Sequence, residues 1–331
     1  LYTIQNGISQ TTSTYNSQKE VQSLYALGQL SWDNYLFFDV TVRNDWSSTL
    51  PKNNRSFLYP SFSLGWAVTD MLTKFKVNVP EWISFGKLRA SYAEAGNDTD
   101  PYQLLSVLST VSNMAGGQMG VAEPSTKTNA NLKPEIIKSM EFGADVRFFD
   151  NRLGFDVTYY DKRAYNQIIS MPSSITSGYS AKYINAGRVD NWGWELQVNA
   201  VPVRTKDWDW NVWVNFAKNS SKIVELTEGV ESITLAQPMG QNCYVRATVG
   251  EPYGQIYTNG FKYDDNGNRL VGDDGKYIVD NTLRVSGNMN PDWTAGIGST
   301  LRWKNLSFGF LIDVRYGGDV YLQSMMRLQS N

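Results

Sequence analysis

One stretch, residues 139–161, constrains the fold more than any other feature, because its pattern repeats along the chain. Apolar and polar residues alternate in two runs, and the turn formers Asp150 and Asn151 separate the runs. A period of two predicts β-strands, since successive side chains of a strand point to opposite faces. The pattern therefore predicts a hairpin with one apolar face. That face carries Met140, Phe142, Ala144, Val146, Phe148, Leu153, Phe155, Val157 and Tyr159.

Two fold classes use such a hairpin. In a soluble β-sandwich the apolar face packs on a core and the polar face contacts water. In a transmembrane β-barrel the apolar face contacts lipid and the charged side chains line a wet lumen. The charged residues concerned are Glu141, Asp145, Arg147 and Asp156. Alternation alone does not separate the two classes, whereas strand length, loop length and aromatic positions do.

Strand and loop lengths favour the barrel. About ten segments repeat the pattern over roughly ten residues each, the length that a tilted strand needs to cross a bilayer. Short turns and long loops alternate, which assigns all turns to one end of the strands and all loops to the other. The longest expected loops cover residues 96–138, 164–190 and 219–291. We therefore predict an all-β fold, an antiparallel transmembrane β-barrel fragment with short periplasmic turns and long extracellular loops.

Composition agrees with this prediction. Aromatic residues make up 13% of the chain, as a large aromatic core or two membrane-interface girdles would require. The mean hydropathy is -0.38 and no run of about eighteen apolar residues occurs, which excludes transmembrane helices. A net charge of -2 argues against a nucleic-acid-binding protein. The tryptophans expected in the girdles are Trp32, Trp82, Trp192, Trp208, Trp293 and Trp303.

Missing residue types limit the chemistry. The chain has no histidine and one cysteine, Cys243, so it cannot build a Ser/His or Cys/His nucleophile, a disulfide or a cysteine-rich metal site. We expect no enzyme activity, no cofactor and no metal site. Two acidic stretches, residues 264–268 and 273–275, leave calcium open as an alternative, but they lack the glycine placement and distal glutamate of an EF-hand. Asn266-Gly267 and Asp274-Gly275 instead favour hairpin turns.

An ordered set of motifs resembles the SusC/RagA-like TonB-dependent transporters of the Gram-negative outer membrane. The resemblance covers nearly the whole chain and departs from the family pattern at Trp46, where glycine is common, and at Trp192 and Trp194. The motifs are residues 43–48 (RNDWSS), 59–63 (YPSFS), 85–92 (FGKLRASY), 96–97 (GN), 131–135 (NLKPE), 141–143 (EFG), 159–162 (YYDK), 185–187 (NAG), 193–195 (GWE), 250–254 (GEPYG), 287–288 (GN) and 291–293 (PDW).

The resemblance implies a roughly 22-stranded barrel plugged by an N-terminal domain. It implies active import of an oligosaccharide or oligopeptide, driven by the TonB-ExbB-ExbD complex, with a SusD-like surface lipoprotein as a lid. Residues 1–331 would be part of one barrel domain in the outer membrane. The chain begins at Leu1 without a signal peptide, and we expect that the plug, the TonB box and the final strands lie outside this sequence.

Substrate-binding residues are expected in the outward loops. Aromatic faces stack on sugar rings or peptides, and amide or carboxylate groups bind polar solutes. The candidates are Asn97, Asp98, Tyr102, Tyr179, Tyr253 and Tyr257. The alternatives are loop self-packing for the tyrosines and turn capping for Asn97 and Asp98. The lumenal charges are expected to pair with each other and with the plug; they are Asp39, Arg43, Lys87, Arg89, Glu141, Asp145 and Arg147.

Two other functions stay open at this point. A surface adhesin or receptor would bind through the same loops without transporting anything. A passive diffusion porin would conduct without an energy source, although the family resemblance disfavours it. An enzyme is the least supported alternative, because barrel hydrolases rely on a histidine-based site and the chain has none.

Overall fold

Ten long β-strands dominate the molecule. The computed structural model describes residues 16–111, 119–237 and 243–322, together with Ser324, Met325 and Leu328. The long strands are β1 (Val21–Trp32), β2 (Leu36–Ser47), β3 (Ser56–Ala67), β4 (Ile83–Asn97), β8 (Glu135–Phe148), β9 (Leu153–Pro172), β10 (Ala181–Arg204), β11 (Trp208–Glu225), β16 (Trp293–Trp303) and β17 (Leu306–Tyr316).

Shorter elements occupy the connections. A seven-residue helix, α1 (Val68–Lys74), and a 3-10 turn (Ile175–Ser177) are the described helical segments with assigned bounds. The short strands are β5 (Ser109–Val111), β6 (Gly120–Ala122), β7 (Thr126–Lys127), β12 (Ser232–Ala236), β13 (Cys243–Thr248), β14 (Gln255–Phe261) and β15 (Val279–Asn288). Among the described residues, no helix has the length and apolar character needed to cross a membrane.

The long strands form one sheet in the order β1-β2-β3-β4-β8-β9-β10-β11-β16-β17, with β7 paired beside β10. Every long strand runs antiparallel to its neighbour in the sequence of strands, as short connections favour. The sheet is not closed, because β1 and β17 are each paired on one side. The predicted all-β antiparallel architecture is confirmed.

Register gives the sheet two chemically different faces. A row of cross-strand partners on the apolar face joins Leu30, Phe38, Leu64, Ala90, Phe142, Tyr159 and Trp194. These large side chains stay exposed: Phe142 is 56% exposed and Trp194 is 53% exposed. A sandwich would bury such a row in a core, whereas a membrane-facing sheet requires it to point outward. The structure therefore follows the barrel pattern.

Strand lengths differ from expectation at the loop end. β9 continues to Pro172 and β10 begins at Ala181, so most of the expected loop of residues 164–190 is paired strand. β11 likewise continues to Glu225, into the expected loop of residues 219–291. The sequence loses its apolar alternation there because apolar residues occur on both faces, as Ile168 and Ile169 do. Backbone pairing does not need that alternation, and the strands extend beyond the apolar belt.

The turn end also contains one unexpected element. Residues 68–82 connect β3 to β4 through α1, and this connection is longer than the loop of residues 173–180 at the opposite end. The hydroxyl of Thr69 in α1 accepts a hydrogen bond from the Gly86 amide at 3.2 Å, which holds the helix against β4. The alternation of short and long connections differs from expectation in this one detail.

Aromatic side chains cluster at the turn end of the apolar face. Trp82 stacks on Phe148 with ring centroids 5.6 Å apart, and Trp208 stacks on Trp303 at 5.7 Å. Trp32 at the end of β1 is 66% exposed. Exposed stacked indoles at strand ends are typical of interfacial girdles, where an amphipathic ring contacts both lipid and water.

Candidate functional site

The polar face of the sheet is built from side chains that reach across glycines. Arg89 on β4 extends over Gly143 on β8 and donates to both carboxylate oxygens of Asp156 on β9, at 2.6 and 2.8 Å. A Cβ atom at position 143 would lie 2.7 Å from Nη2 of Arg89. Gly143 is therefore the residue that lets a charge-assisted bidentate bond span three strands.

A second crossing repeats this arrangement two strands further along the sheet. The hydroxyl of Tyr160 on β9 passes over Gly193 on β10 and donates to the Asn219 side chain on β11 at 2.9 Å. A Cβ at position 193 would lie 2.5 Å from the Tyr160 hydroxyl and closer still to the backbone carbonyl of Lys218. Both glycines belong to motifs singled out in the sequence, and each has a packing role.

Several other charges on the polar face are paired as expected, whereas Asp39 accepts from Gln29 and Ser63 and Lys87 lies over the Phe37 ring. Arg147 contacts Asp145 at 2.8 Å, and Lys162 contacts Glu141 at 3.6 Å. Arg43 contacts Asp45 at 2.8 Å, and the Tyr59 hydroxyl donates to the same carboxylate. Most of these side chains are partly exposed, so each pair contributes little stability. Their effect is to keep the wall polar and locally neutral.

A cavity of about 680 Å³ with a mixed polar and apolar lining lies on this face between β9 and β17. Its polar lining comprises Asp156, Thr158, Glu195, Gln197, Asn215, Thr294, Asp313 and Arg315. Arg89 neutralises Asp156, whereas no ion pair within the described ranges involves Glu195 or Asp313. Hydroxyl, amide and carboxylate groups in a concavity of this size can bind a hydrated polar solute or the polar surface of another domain.

A four-stranded sheet, β12 to β15, projects from the connection between β11 and β16. Ile223 and Val189, which lie on the polar face of β11 and β10, pack with Ala247 of β13 and form a buried cluster. Ile223 is fully buried. Because this cluster belongs to the polar face, the loop sheet leans to the side of the cavity and not to the apolar side. Burial also raises the pKa of the Cys243 thiol, in agreement with an inert cysteine.

One motif forms a hub at the loop end. The motif is residues 131–135, in which Leu132 is fully buried. The Leu132 carbonyl accepts a hydrogen bond from the Asn54 side chain at 3.0 Å. The Glu135 carboxylate accepts from the Asn97 side chain at 3.0 Å and from the Ile168 amide at 2.8 Å. Four separate stretches of sequence therefore meet at this hub, which fixes the rim of the sheet.

Asn185 completes the hub from β10. Its side-chain oxygen accepts from the Lys133 amide at 2.8 Å, and its nitrogen donates to the carbonyls of Lys133 and Asn166 at 2.7 and 2.9 Å. An amide side chain satisfies a donor and two acceptors at once, which neither a carboxylate nor an alkyl chain can do.

We expect Asn185→Ala to loosen the rim without unfolding the sheet. The Lys133 amide and two carbonyls lose their partners, at a cost of about 1–3 kcal/mol. Hydrogen exchange at Lys133 should accelerate about tenfold or more. Asn199→Ala is the matched control, since Asn199 lies on the same strand with an exposed side chain. Equal exchange in both variants contradicts the hub.

The predicted residues Asn97, Asp98 and Tyr102 lie together at the end of β4. The Asp98 carboxylate accepts from Lys19 and from Ser47, both at 2.5 Å, and from Thr49 at 3.3 Å. The Tyr102 hydroxyl accepts from the Gln18 amide at 3.3 Å. Asp98 therefore ties the segment before β1 to the connection after β2. A direct role in substrate binding stays a prediction, now for a carboxylate that already has three donors.

Acid should break the contacts of Asp98 with Lys19, Ser47 and Thr49. Burial raises the pKa of Asp98, but the hydrogen bonds from Lys19 and Ser47 outweigh it and hold the pKa below its ordinary value of 3.8. A depressed carboxylate pKa contributes stability above 3.8 that is lost as the pH falls through the lower folded value. We expect constant exchange protection of residues 98–102 from pH 8 to about 5 and a loss below about 4. Asp98→Asn should weaken protection at every pH; a wild-type loss near pH 6 contradicts the assignment.

The remaining predicted tyrosines lie elsewhere in the loops. Tyr179 follows the 3-10 turn, with Lys127 5.9 Å from its ring centroid. Tyr257 lies on β14 and donates to the Gln255 side chain at 3.1 Å, while the Arg246 guanidinium covers its ring. Tyr253 is 38% exposed, and its carbonyl accepts from Asn290 at 2.7 Å. Contacts among the described residues leave the six candidates in three separate groups, and their binding role stays a prediction.

Sequence reasoning missed the cluster of Val189, Ile223 and Ala247, because its members lie on the polar side of their strands or in an expected loop. An apolar residue at a polar-face position was the available signal. The two acidic stretches behave as turns: Gly267 donates to the Asp264 carbonyl and Gly275 to the Gly272 carbonyl, both at 3.0 Å. In the described ranges, no group of three or more histidine, cysteine or acidic side chains has the arrangement to hold a metal ion.

The sequence was compared with family models and with known proteins. The family model described as "TonB dependent receptor-like, beta-barrel" matches residues 1–327. TonB-dependent receptor P3 of Formosa agariphila is 28% identical, and the match covers 98% of this chain and 34% of the relative. TonB-dependent receptor SusC of Bacteroides thetaiotaomicron is 27% identical over 95% of this chain and 34% of its own length. The chain therefore spans about a third of the length of these relatives.

Solved structures share the fold. The RagAB peptide transporter matches with a TM-score of 0.74 and 24% identity, covering 89% of this chain and 33% of that chain. The RagAB peptide importer in its open-open state also gives 0.74, at 23% identity, covering 91% of this chain and 33% of that chain. The family model covers nearly every residue, and the exposed apolar face, the polar wall and the loop sheet agree with it. The chain belongs to the TonB-dependent receptor-like β-barrel family.

Proposed function

We propose that this chain is the C-terminal part of the barrel of an outer-membrane importer that takes up a large nutrient, an oligosaccharide or an oligopeptide. Residues 1–331 supply about ten strands of a barrel that in the whole protein has roughly 22 strands and a plugged lumen. The apolar face contacts lipid, the polar face lines the lumen, and the loops are extracellular.

One observation carries the proposal: a cavity of about 680 Å³ with a mixed lining on the lumenal side, towards which the loop sheet leans. A substrate that enters between the loops meets hydroxyl, amide and carboxylate groups there. A mixed lining of this kind suits a solute with many hydrogen-bonding groups.

The proposed partners follow from the family. A SusD-like surface lipoprotein closes the loop end as a lid, and the TonB-ExbB-ExbD complex acts through an N-terminal plug and supplies energy from the proton-motive force. The candidates Asn97, Asp98, Tyr102, Tyr179, Tyr253 and Tyr257 lie at the loop end, where substrate and lid would meet. The RagAB peptide transporter, which shares the fold, supports the oligopeptide class, and the oligosaccharide class stays in the proposal beside it.

The test uses the full-length protein in its native outer membrane. Labelled oligosaccharide and oligopeptide mixtures are offered to cells with and without a protonophore, and to cells lacking TonB. We expect one class to accumulate, and accumulation to cease in both treatments. Co-purification should recover a surface lipoprotein in stoichiometric amount.

Other outcomes select the alternatives. Uptake that survives loss of TonB and of the proton-motive force indicates a passive porin. Tight binding of a ligand with no uptake indicates an adhesin or receptor. Hydrolysis of either mixture by the purified protein contradicts the assignment as a transporter.

A further inference from the structure

Five charged residues form one continuous row across the apolar face. The register joins them as consecutive cross-strand partners on β4, β8, β9, β10 and β11. They share the face of Phe142 and Trp194, since each is separated from that belt by an even number of residues along its own strand. In order, the row is Glu94, Lys138, Arg163, Asp190 and Lys222.

On β8 and β9 the row lies where the hydrocarbon should end. Lys138 is ten residues from Phe148 at the turn end of β8, and Arg163 is ten residues from Leu153 on β9. A tilted strand needs about 9–11 residues to cross the hydrocarbon. The charges therefore begin one bilayer thickness above the girdle of Trp82 and Phe148. That level is the headgroup level of the opposite leaflet.

Cations exceed anions at this level. Lys138 pairs with Glu94 at 3.1 Å, Arg163 with Asp161 at 2.8 Å and Arg188 with Asp190 at 2.6 Å. These pairs use every carboxylate of the row. Lys222 and its neighbour Lys218 remain exposed, and no described ion pair includes either of them. On its own strand, β11, Lys218 is ten residues from the girdle residue Trp208, the same count as from Phe148 to Lys138, and Lys222 lies four residues further towards the loops. The long side chains of both lysines can therefore extend to the headgroups, one from each side.

We propose that Lys218 and Lys222, at the end of this row, bind the phosphate groups of the phosphorylated glycolipid that forms the outer leaflet. Ammonium groups beside an anionic headgroup layer gain favourable electrostatic energy, and charge-assisted hydrogen bonds to phosphate add to it. The neighbouring ion pairs suit the sugar part of the headgroup, which offers hydroxyls to both signs of charge. The inference rests on the proposed orientation, with the loops extracellular.

The test uses full-length protein extracted from outer membranes in mild detergent, with retained glycolipid measured by mass spectrometry. The delipidated protein is then titrated with diphosphoryl lipid A. We expect the double variant Lys218→Gln/Lys222→Gln to bind the probe about 25-fold more weakly, roughly fivefold for each lysine. Neither lysine takes part in a described ion pair, so folding should be retained, and heat-modified mobility on a gel checks it.

The matched control is Lys206→Gln/Lys304→Gln, which removes the same charge from two exposed turn-end residues. Its affinity should equal that of wild type. An unchanged affinity in the first variant, or an equal loss in both, overturns the glycolipid site. A loss in the control alone shows that the chain has the opposite orientation, which also overturns it. Import assays on the same strains are independent: wild-type import without glycolipid binding refutes only this inference.

Discussion

Phe142→Arg should destabilise the folded protein in a bilayer by about 2–4 kcal/mol. Phe142 is 56% exposed on the apolar face and lies six residues from Phe148, near the middle of the ten-residue crossing of β8. A guanidinium there must leave water for hydrocarbon or distort the bilayer. The measurement is urea unfolding of the full-length protein reconstituted in phospholipid vesicles.

Ser91→Arg is the matched control. Ser91 is the cross-strand partner of Glu141 on the polar face, so a guanidinium there meets a carboxylate and water. We expect this variant to unfold within about 0.5 kcal/mol of wild type. Similar destabilisation by both substitutions contradicts the assignment of the two faces.

Gly193→Ala should cost about 1–3 kcal/mol, although the change adds a single methyl group. The new Cβ collides with the Lys218 carbonyl and with the Tyr160 hydroxyl. The carbonyl belongs to the paired backbone of β10 and β11 and cannot move without disturbing the register. Loss of the Tyr160–Asn219 bond adds to the cost. Urea unfolding and hydrogen exchange of β10 and β11 measure the effect.

Gly154→Ala provides the comparison on the same face of β9. A Cβ at position 154 would lie 3.7 Å from the nearest atom, Cγ of Arg147, an ordinary contact. That substitution should be neutral or stabilise by up to about 1 kcal/mol, because alanine reduces the freedom of the unfolded chain. If Gly193→Ala behaves in the same way, the crossing of Tyr160 over Gly193 has no structural importance.

Most motifs that carry the family resemblance contain residues that hold the sheet together. Glu135 and Asn185 fix the rim, and Gly143 and Gly193 make room for crossings. The cavity lining, by contrast, lies largely between motifs, as Gln197, Asn215 and Asp313 do. Apart from Asp156, which Arg89 binds, the residues that hold the wall together are separate from those that line the cavity.

The candidate site was predictable only in part. The placement of Asn97 and Asp98 at the loop end follows from their position after an alternating strand. The hydrogen bonds of Asn97 to Glu135 and of Asp98 to Lys19 could not be predicted, because those partners are far away in the sequence. The loop sheet was not predicted either, since its strands are short and interrupted by bulges. Its hairpin turns at Gly267 and Gly275 were predicted, since turn residues act locally.

The sequence by itself determined the two faces and the order of most neighbouring strands. A period of two places Phe142 and Glu141 on opposite faces whatever their partners, and short connections make consecutive strands pair. Only the tertiary structure decided the register. A shift of two residues would leave both faces unchanged, so alternation cannot specify that Arg89 crosses Gly143 to reach Asp156. Backbone pairing, close approach at glycine and burial at Leu132 and Ile223 select that register, and these depend on residues that meet only in the folded sheet.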